Sequence, residues 1–265
     1  MGNFEFKKKF GQNFLTDKNL LEEIVEKAGV ESDDTVVEIG VGKGALTEVL
    51  SRHARRVIAF EIDRELIDFL KERFNGTNVE LIFKDIMKVE DDELDALIGE
   101  KFKLVANLPY YITSPIITRF LQNKNLTSMS VMVQEEVADR IISRPRTKDY
   151  GVLTVICQMF AKTQKLIRVN RKMFYPVPNV DSAVIKLDKF DGDFYKNPNE
   201  LISFVKKAFS MRRKKLSTNL ESEKHSKSEI ETKLCEIGFN ANTRAEELSI
   251  LDFEKLYNKL YDKNV

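Results

Sequence analysis

Thr35-Val36-Val37-Glu38-Ile39-Gly40-Val41-Gly42-Lys43-Gly44-Ala45-Leu46 carries the fold. Its first five residues are β-branched or apolar apart from one acid, the mark of a short strand. Glycines at every second position then turn the chain, and a helical pattern follows through Ala45-Leu46 to Ser51. The same alternation recurs outward from here. Arg56-Val57-Ile58-Ala59-Phe60-Glu61 reads as a second strand, followed by a helix from Arg64 to Phe74 with Leu66, Ile67 and Leu70 on one face. Val79-Glu80-Leu81-Ile82-Phe83 is a third strand ended by Lys84-Asp85; Phe102-Lys103-Leu104-Val105-Ala106 is a fourth, running into Asn107; Met129 to Gln134 is a fifth. Short apolar strands separated by helices predict an α/β fold, a Rossmann-like, doubly wound, mostly parallel sheet with helices on both faces.

Beyond the fifth strand the pattern changes. Lys165 to Val169 and Ala183 to Leu187 are β-like runs around Phe174-Tyr175-Pro176-Val177-Pro178-Asn179, and they read as an antiparallel pair at the sheet edge. From about Gly192 only helical patterns remain, at Leu201 to Phe209, Ile230 to Ile237 and Phe253 to Tyr261. A boundary near Asp191-Gly192-Asp193 divides the chain into a domain over 1–191 and a small helical domain over 192–265.

At 265 residues, 42% hydrophobic and 32% charged, the composition is that of a water-soluble globular protein. No apolar run approaches the roughly 20 residues needed to span a bilayer. The charged start, Met1 to Lys9, lacks the apolar stretch of a signal peptide, and Phe6 stands where a myristoylation motif wants Ser or Thr, so a cytoplasmic location is expected. Cys157 and Cys235 lie far apart and are expected to be reduced core thiols. His53 and His225 have no ligand-type spacing around them, so no metal is expected. The net charge of +1 conceals basic clusters at Lys7-Lys8-Lys9, Lys162 to Lys172 and Lys206 to Lys215. Each suits a solvated face or a polyanion partner.

The loop Gly40-x-Gly42-x-Gly44 departs from the dinucleotide spacing and carries no Gly-Lys-Ser/Thr, which disfavours a phosphate loop and leaves either a bare turn or a nucleoside site. The next strands decide between them. Glu61 ends the second strand about 20 residues on, where an acid accepts from both ribose hydroxyls, and Asp85 ends the third, where it can accept from an adenine amine. Three such features at neighbouring strand ends point to an adenosine-containing cofactor.

Asn107-Leu108-Pro109-Tyr110 leaves the fourth strand at the same edge. Pro109 directs Leu108 towards extended backbone, which can bring the Asn107 side-chain oxygen and the Leu108 carbonyl into one small space. Two converging acceptors suit an amine donating both hydrogens, such as N6 of adenine. Tyr110 offers a stacking face, worth on the order of 1–3 kcal/mol per base.

These motifs, with Phe10-Gly11-Gln12-Asn13-Phe14-Leu15 and Phe174-Tyr175-Pro176-Val177-Pro178-Asn179-Val180-Asp181-Ser182, resemble those of the KsgA/Erm class of rRNA adenine dimethyltransferases. Val131 to Ala138 is also similar to bacterial KsgA sequences. The resemblance implies a methyltransferase sheet that binds S-adenosylmethionine against Gln12, Asn13, Leu15, Gly40, Gly42, Glu61, Ile62, Asp85, Ile86 and Asn107. It assigns the chemistry to Asn107, Leu108, Pro109 and Tyr110, with Phe174 stacking on the base opposite Tyr110. It further implies dimethylation of two adjacent adenosines in the hairpin loop near the 3′ end of 16S rRNA, in the immature small ribosomal subunit, by a monomer. Lys206, Lys207, Arg212, Arg213, Lys214 and Lys215 of the helical domain are the expected phosphate contacts. Tyr111 stands where many relatives carry Asn, which bears on substrate fit. An Erm-type enzyme of large-subunit rRNA conferring drug resistance is the alternative, and a non-catalytic assembly or transcription factor is the second. A DNA adenine methyltransferase is disfavoured because no extra target-recognition region is evident.

Overall fold

The computed structural model describes residues 14–15, 17–192 and 195–261. Gln12 and Asn13, expected at the cofactor, lie outside these. The chain divides into two compact units, one formed by 1–138 with 161–190 and the other by 139–160 with 191–265.

In the first unit the elements run β1 (Phe14–Leu15), α1 (Lys18–Ala28), β2 (Thr35–Ile39), α2 (Ala45–His53), β3 (Arg56–Phe60), α3 (Ile67–Arg73), β4 (Val79–Ile82) and α4 (Asp91–Ile98). They continue with β5 (Phe102–Asn107), α5 (Thr113–Gln122), β6 (Leu126–Gln134) and α6 (Glu135–Ile142), the unit leaving the chain at Ala138. It resumes with β7 (Ala161–Val169), β8 (Phe174–Tyr175) and β9 (Ser182–Lys189). Seven strands form one sheet in the order β4-β3-β2-β5-β6-β9-β7. Neighbours from β4 through β6 pair in parallel, while β9 pairs antiparallel with both β6 and β7, so the inverted strand sits one in from the edge. β1 and β8 form a separate antiparallel ribbon with Leu15 opposite Phe174.

All five residues of β2 are buried, as expected of a central parallel strand covered on both faces. On one side of the sheet Val36, Val57, Val105 and Val184 pack with Leu21 and Val25 of α1 and Leu46 and Leu50 of α2. Asp17 starts α1 by accepting from the Leu20 N–H at 3.0 Å, and Gly29 at φ 73° ends it. β2 lies between β3 and β5, so the connections leaving β2 and β5 diverge to opposite sides. Open α/β sheets hold their ligands at such a switch point, beyond the carboxyl ends of the strands.

The second unit contains α7 (Val152–Phe160), α8 (Pro198–Ala208), α9 (Leu216–Leu220), α10 (Lys227–Glu236) and α11 (Ile250–Tyr261). Its core joins Tyr150, Val155, Ile156 and Met159 to Leu201, Phe204, Leu234, Phe253 and Leu256. Residues 139–160, which sequence alone leaves inside the first domain, thus share a core with the C-terminal helices. Cys157 is buried, but Cys235 is exposed, contrary to its expected place in the core. α10 buries Ile230 and Leu234, and the next residue points about 100° away around the helix. No described helix is long and apolar enough to cross a membrane.

Candidate active site

The carboxyl ends of β2, β3, β4 and β5 open on a cavity of about 360 Å³. Leu15, Gly40, Gly42, Glu61, Ile62, Asp85, Ile86, Asn107, Leu108, Pro109 and Tyr110 all line it. Local chemistry explains the glycine loop. Gly40 has φ 85°, and a Cβ there would lie 3.8 Å from both the Asn107 carbonyl oxygen and Pro109 Cδ, where the two loops close on each other. Gly44 has φ 79°, and a Cβ there would come within 2.7 Å of the Phe74 ring. Only glycine meets both demands at Gly44.

Glu61 is 4% exposed and acts as the keystone of this end of the sheet. Its Oε2 accepts from the Gly42 N–H at 2.8 Å, and its Oε1 accepts from the N–H groups of Ile62 and Asp63, each at 2.8 Å. Burial holds its carboxyl above the usual range, and these three bonds work in the opposite direction. Asp85 closes β4 and accepts from the Met87 N–H at 3.0 Å, starting the short 3₁₀ turn Ile86–Lys88. The cavity also reaches Glu38, near the end of β2, which is 1% exposed. Its Oε2 has no hydrogen-bond partner among the described residues. Burial pushes the Glu38 carboxyl up to about 8, opposed by the Thr47 hydroxyl and helped by the charge of Glu61.

At the end of β5, the Leu108 N–H donates to the Met132 carbonyl at 3.3 Å, which continues the pairing of Asn107 with Met132. Pro109 follows at φ −58°, ψ 131°, and its carbonyl is taken by the Ile112 N–H at 3.1 Å and the Thr113 hydroxyl at 3.3 Å. The Leu108 carbonyl meets no such donor among the described residues, and Leu108 and Asn107 both line the cavity. Tyr110 opens a 3₁₀ turn, and its hydroxyl shares a 3.0 Å hydrogen bond with that of Ser182.

Two groups of expected residues are not among those that line the cavity. Phe174 is 3% exposed, packs in the core with Leu15, and does not line the cavity wall. The basic residues Lys206, Lys207, Arg212, Arg213, Lys214 and Lys215 belong to the second unit, and all are exposed. Lys207 donates to the carbonyls of Leu220 and Glu221 at 2.9 and 3.1 Å, and Arg212 pairs with Glu246 at 3.3 Å. No partner of this kind engages Lys206, Arg213, Lys214 or Lys215 among the described residues. Sequence reasoning misses Glu38, whose signal is an acid inside an apolar strand, and Ser182, which carries no local signal of its link to Tyr110. Among the described residues, no group of three or more His, Cys, Asp or Glu side chains is arranged to hold a metal ion.

Residues 3–262 match the family model of ribosomal RNA adenine dimethylase. The chain belongs to this family. Ribosomal RNA small subunit methyltransferase A of Caldanaerobacter subterraneus is 44% identical over 260 residues, covering 96% of this chain and 97% of that protein. The protein of the same description from Geobacillus thermodenitrificans is 42% identical, covering 97% and 92%. Among solved structures, a dimethyladenosine transferase from Plasmodium falciparum superposes with a TM-score of 0.81 at 28% identity, covering 95% of this chain and 98% of that one. The 23S rRNA methyltransferase ErmE gives 0.72 at 28% identity, covering 94% and 99%. As an adenine dimethylase, this chain is a methyltransferase, and its cofactor is S-adenosylmethionine. The cavity fits that group. Ile62 and Ile86 present apolar walls, Glu61 and Asp85 present acceptors at adjacent strand ends, and Glu38 adds a buried carboxyl with one unpartnered oxygen.

Proposed function

We propose that the chain dimethylates the N6 amines of two adjacent adenosines in the hairpin loop near the 3′ end of 16S rRNA, acting on the immature small ribosomal subunit. The observation that carries the reading is that the Asn-Leu-Pro-Tyr turn and the two acidic strand ends line one cavity. When bound, S-adenosylmethionine supplies a methyl group made electrophilic by its positively charged sulfur. The Asn107 side-chain oxygen and the Leu108 carbonyl accept the two amine hydrogens, which draws the N6 lone pair out of conjugation with the ring. Tyr110 supports the flipped base from its face. The protein's main task is to orient these groups. No strong base is required, because a methylated aminium is acidic enough to lose its proton to water.

Glu61 holds the ribose hydroxyls, Asp85 accepts from the adenine amine of the cofactor, and Gly40 and Gly42 allow close backbone approach. Leu15, which lines the cavity, packs against the cofactor, and the motif assigns Gln12 and Asn13 to the same ligand. Phe174 stacks on the base opposite Tyr110 after leaving the buried position it holds in the free chain. Of the six basic residues expected to meet phosphates, Lys206, Arg213, Lys214 and Lys215 are the free ones among the described residues, with Lys207 and Arg212 already committed within the protein. The enzyme works as a cytoplasmic monomer.

The small-subunit assignment is supported by relatives named for that subunit at 42–44% identity over nearly the full chain, against 28% for ErmE. The test is methyl transfer from labelled cofactor to unmodified small and large subunits, with the modified bases then mapped. Two neighbouring adenosines labelled in small-subunit RNA are expected, and label confined to large-subunit RNA overturns the assignment.

A further inference from the structure

Resting on that reading of the site, we propose that Ser182 is a positioning residue for the methyl transfer: its hydroxyl pins the far end of Tyr110 and so fixes the place of the ring against which the target adenine stacks. The pair is brought together across 72 residues of sequence by a 3.0 Å bond between the two hydroxyls. Ser182 is 0% exposed and is held from both sides, its backbone standing opposite Gln134 of β6 and Val169 of β7. Its neighbour Asp181 adds two anchors. The Asp181 carbonyl accepts from the Glu135 N–H at 3.0 Å, and its carboxylate accepts from the Arg171 N–H at 3.0 Å. Ser182 is therefore a rigid bracket.

Tyr110 is the opposite case. It is half-buried and lines the cavity from a short 3₁₀ turn, where its backbone alone leaves the side-chain torsions to packing. Fixing the hydroxyl gives the side chain a second point of attachment and stops the ring from swinging about the Cα–Cβ bond. The base meets a preset surface, and the amine it carries arrives at Asn107 and Leu108 in one orientation. Because positioning is most of what this active site contributes, a ring free to tilt costs turnover more than binding.

The experiment is a double-mutant cycle of Ser182→Ala, Tyr110→Phe and the pair, assayed on whichever ribosomal RNA accepts methyl from the wild type. Each single variant is expected to lower kcat about tenfold, the size of one neutral hydrogen bond, with cofactor affinity unchanged. The double variant is expected to match either single one, since both remove the same bond. In parallel, 2-aminopurine at the target position should be less quenched on binding to each variant. Multiplying losses, wild-type kcat in Ser182→Ala, or a kcat loss accompanied by equally weakened cofactor binding overturns the proposal. Should Ser182→Ala fold poorly, Tyr110→Phe, which keeps the ring, still decides it, because wild-type kcat and quenching in that variant refute the pin. Label appearing in large-subunit RNA would displace the substrate assignment while leaving the cycle readable.

Discussion

Replacing Glu38 by Gln keeps the shape of the side chain and removes its ability to ionise. In the folded chain this carboxyl is 1% exposed, one of its oxygens has no partner among the described residues, and its pKa stands at about 8. The unfolded chain ionises it near 4.5, the ordinary value. A carboxyl harder to ionise in the folded state contributes stability that is fully present below pH 4.5 and is lost as pH rises towards 8. The loss runs at about 1.36 kcal/mol per pH unit while the unfolded chain is ionised and the folded one is not, which comes to about 3–4 kcal/mol between pH 5 and pH 8. The amide of the Glu38→Gln variant does not titrate, and Glu61 is present in both proteins, so the difference between them isolates this one group. Urea unfolding of the cofactor-free proteins at pH 5, 6, 7 and 8, followed by circular dichroism, should show the wild type losing about 3–4 kcal/mol more than Glu38→Gln across that range. Parallel stability profiles for the two would refute the account, because they would mean that the carboxyl is ionised in the folded chain at neutral pH.

Asn107→Ala should lower methyl transfer on the order of a hundredfold while RNA binding and the melting temperature stay near wild type, as measured by labelled-cofactor turnover, filter binding and calorimetry. Gly44→Ala places a Cβ 2.7 Å from the Phe74 ring at a φ of 79°, so urea denaturation should show a loss of about 2–4 kcal/mol. Arg213→Ala and Lys214→Ala should each weaken RNA binding and lower the slope of log K against log salt by about 0.7–0.9; unchanged slopes would remove these residues from the interface.

Much of the cavity was legible because its parts are short and sit at the ends of strands. Apolar runs at 35–39, 56–60 and 102–107 end in glycine, acid and amide, and a parallel sheet brings such ends to one edge whatever the detailed packing. Phe174 shows where local sequence stops informing. Its motif marks it as a stacking residue, yet it is buried in the same core cluster as Leu15, its partner in the β1–β8 ribbon. The grouping of 139–160 with the C-terminal helices depends on contacts such as the Tyr150 hydroxyl with the Leu248 carbonyl at 2.7 Å, 98 residues apart.

Sequence by itself therefore determined the parallel α/β class, the glycine loop and the identity of the groups at the strand ends, because each depends on periodicity or backbone freedom within a few residues. Only the tertiary structure decided that β9 inserts between β6 and β7, that Glu38 is sealed from water, and that Ser182 reaches Tyr110. Those outcomes depend on which distant surfaces bury one another, a quantity set by packing across the sheet and not written in any local stretch of the chain.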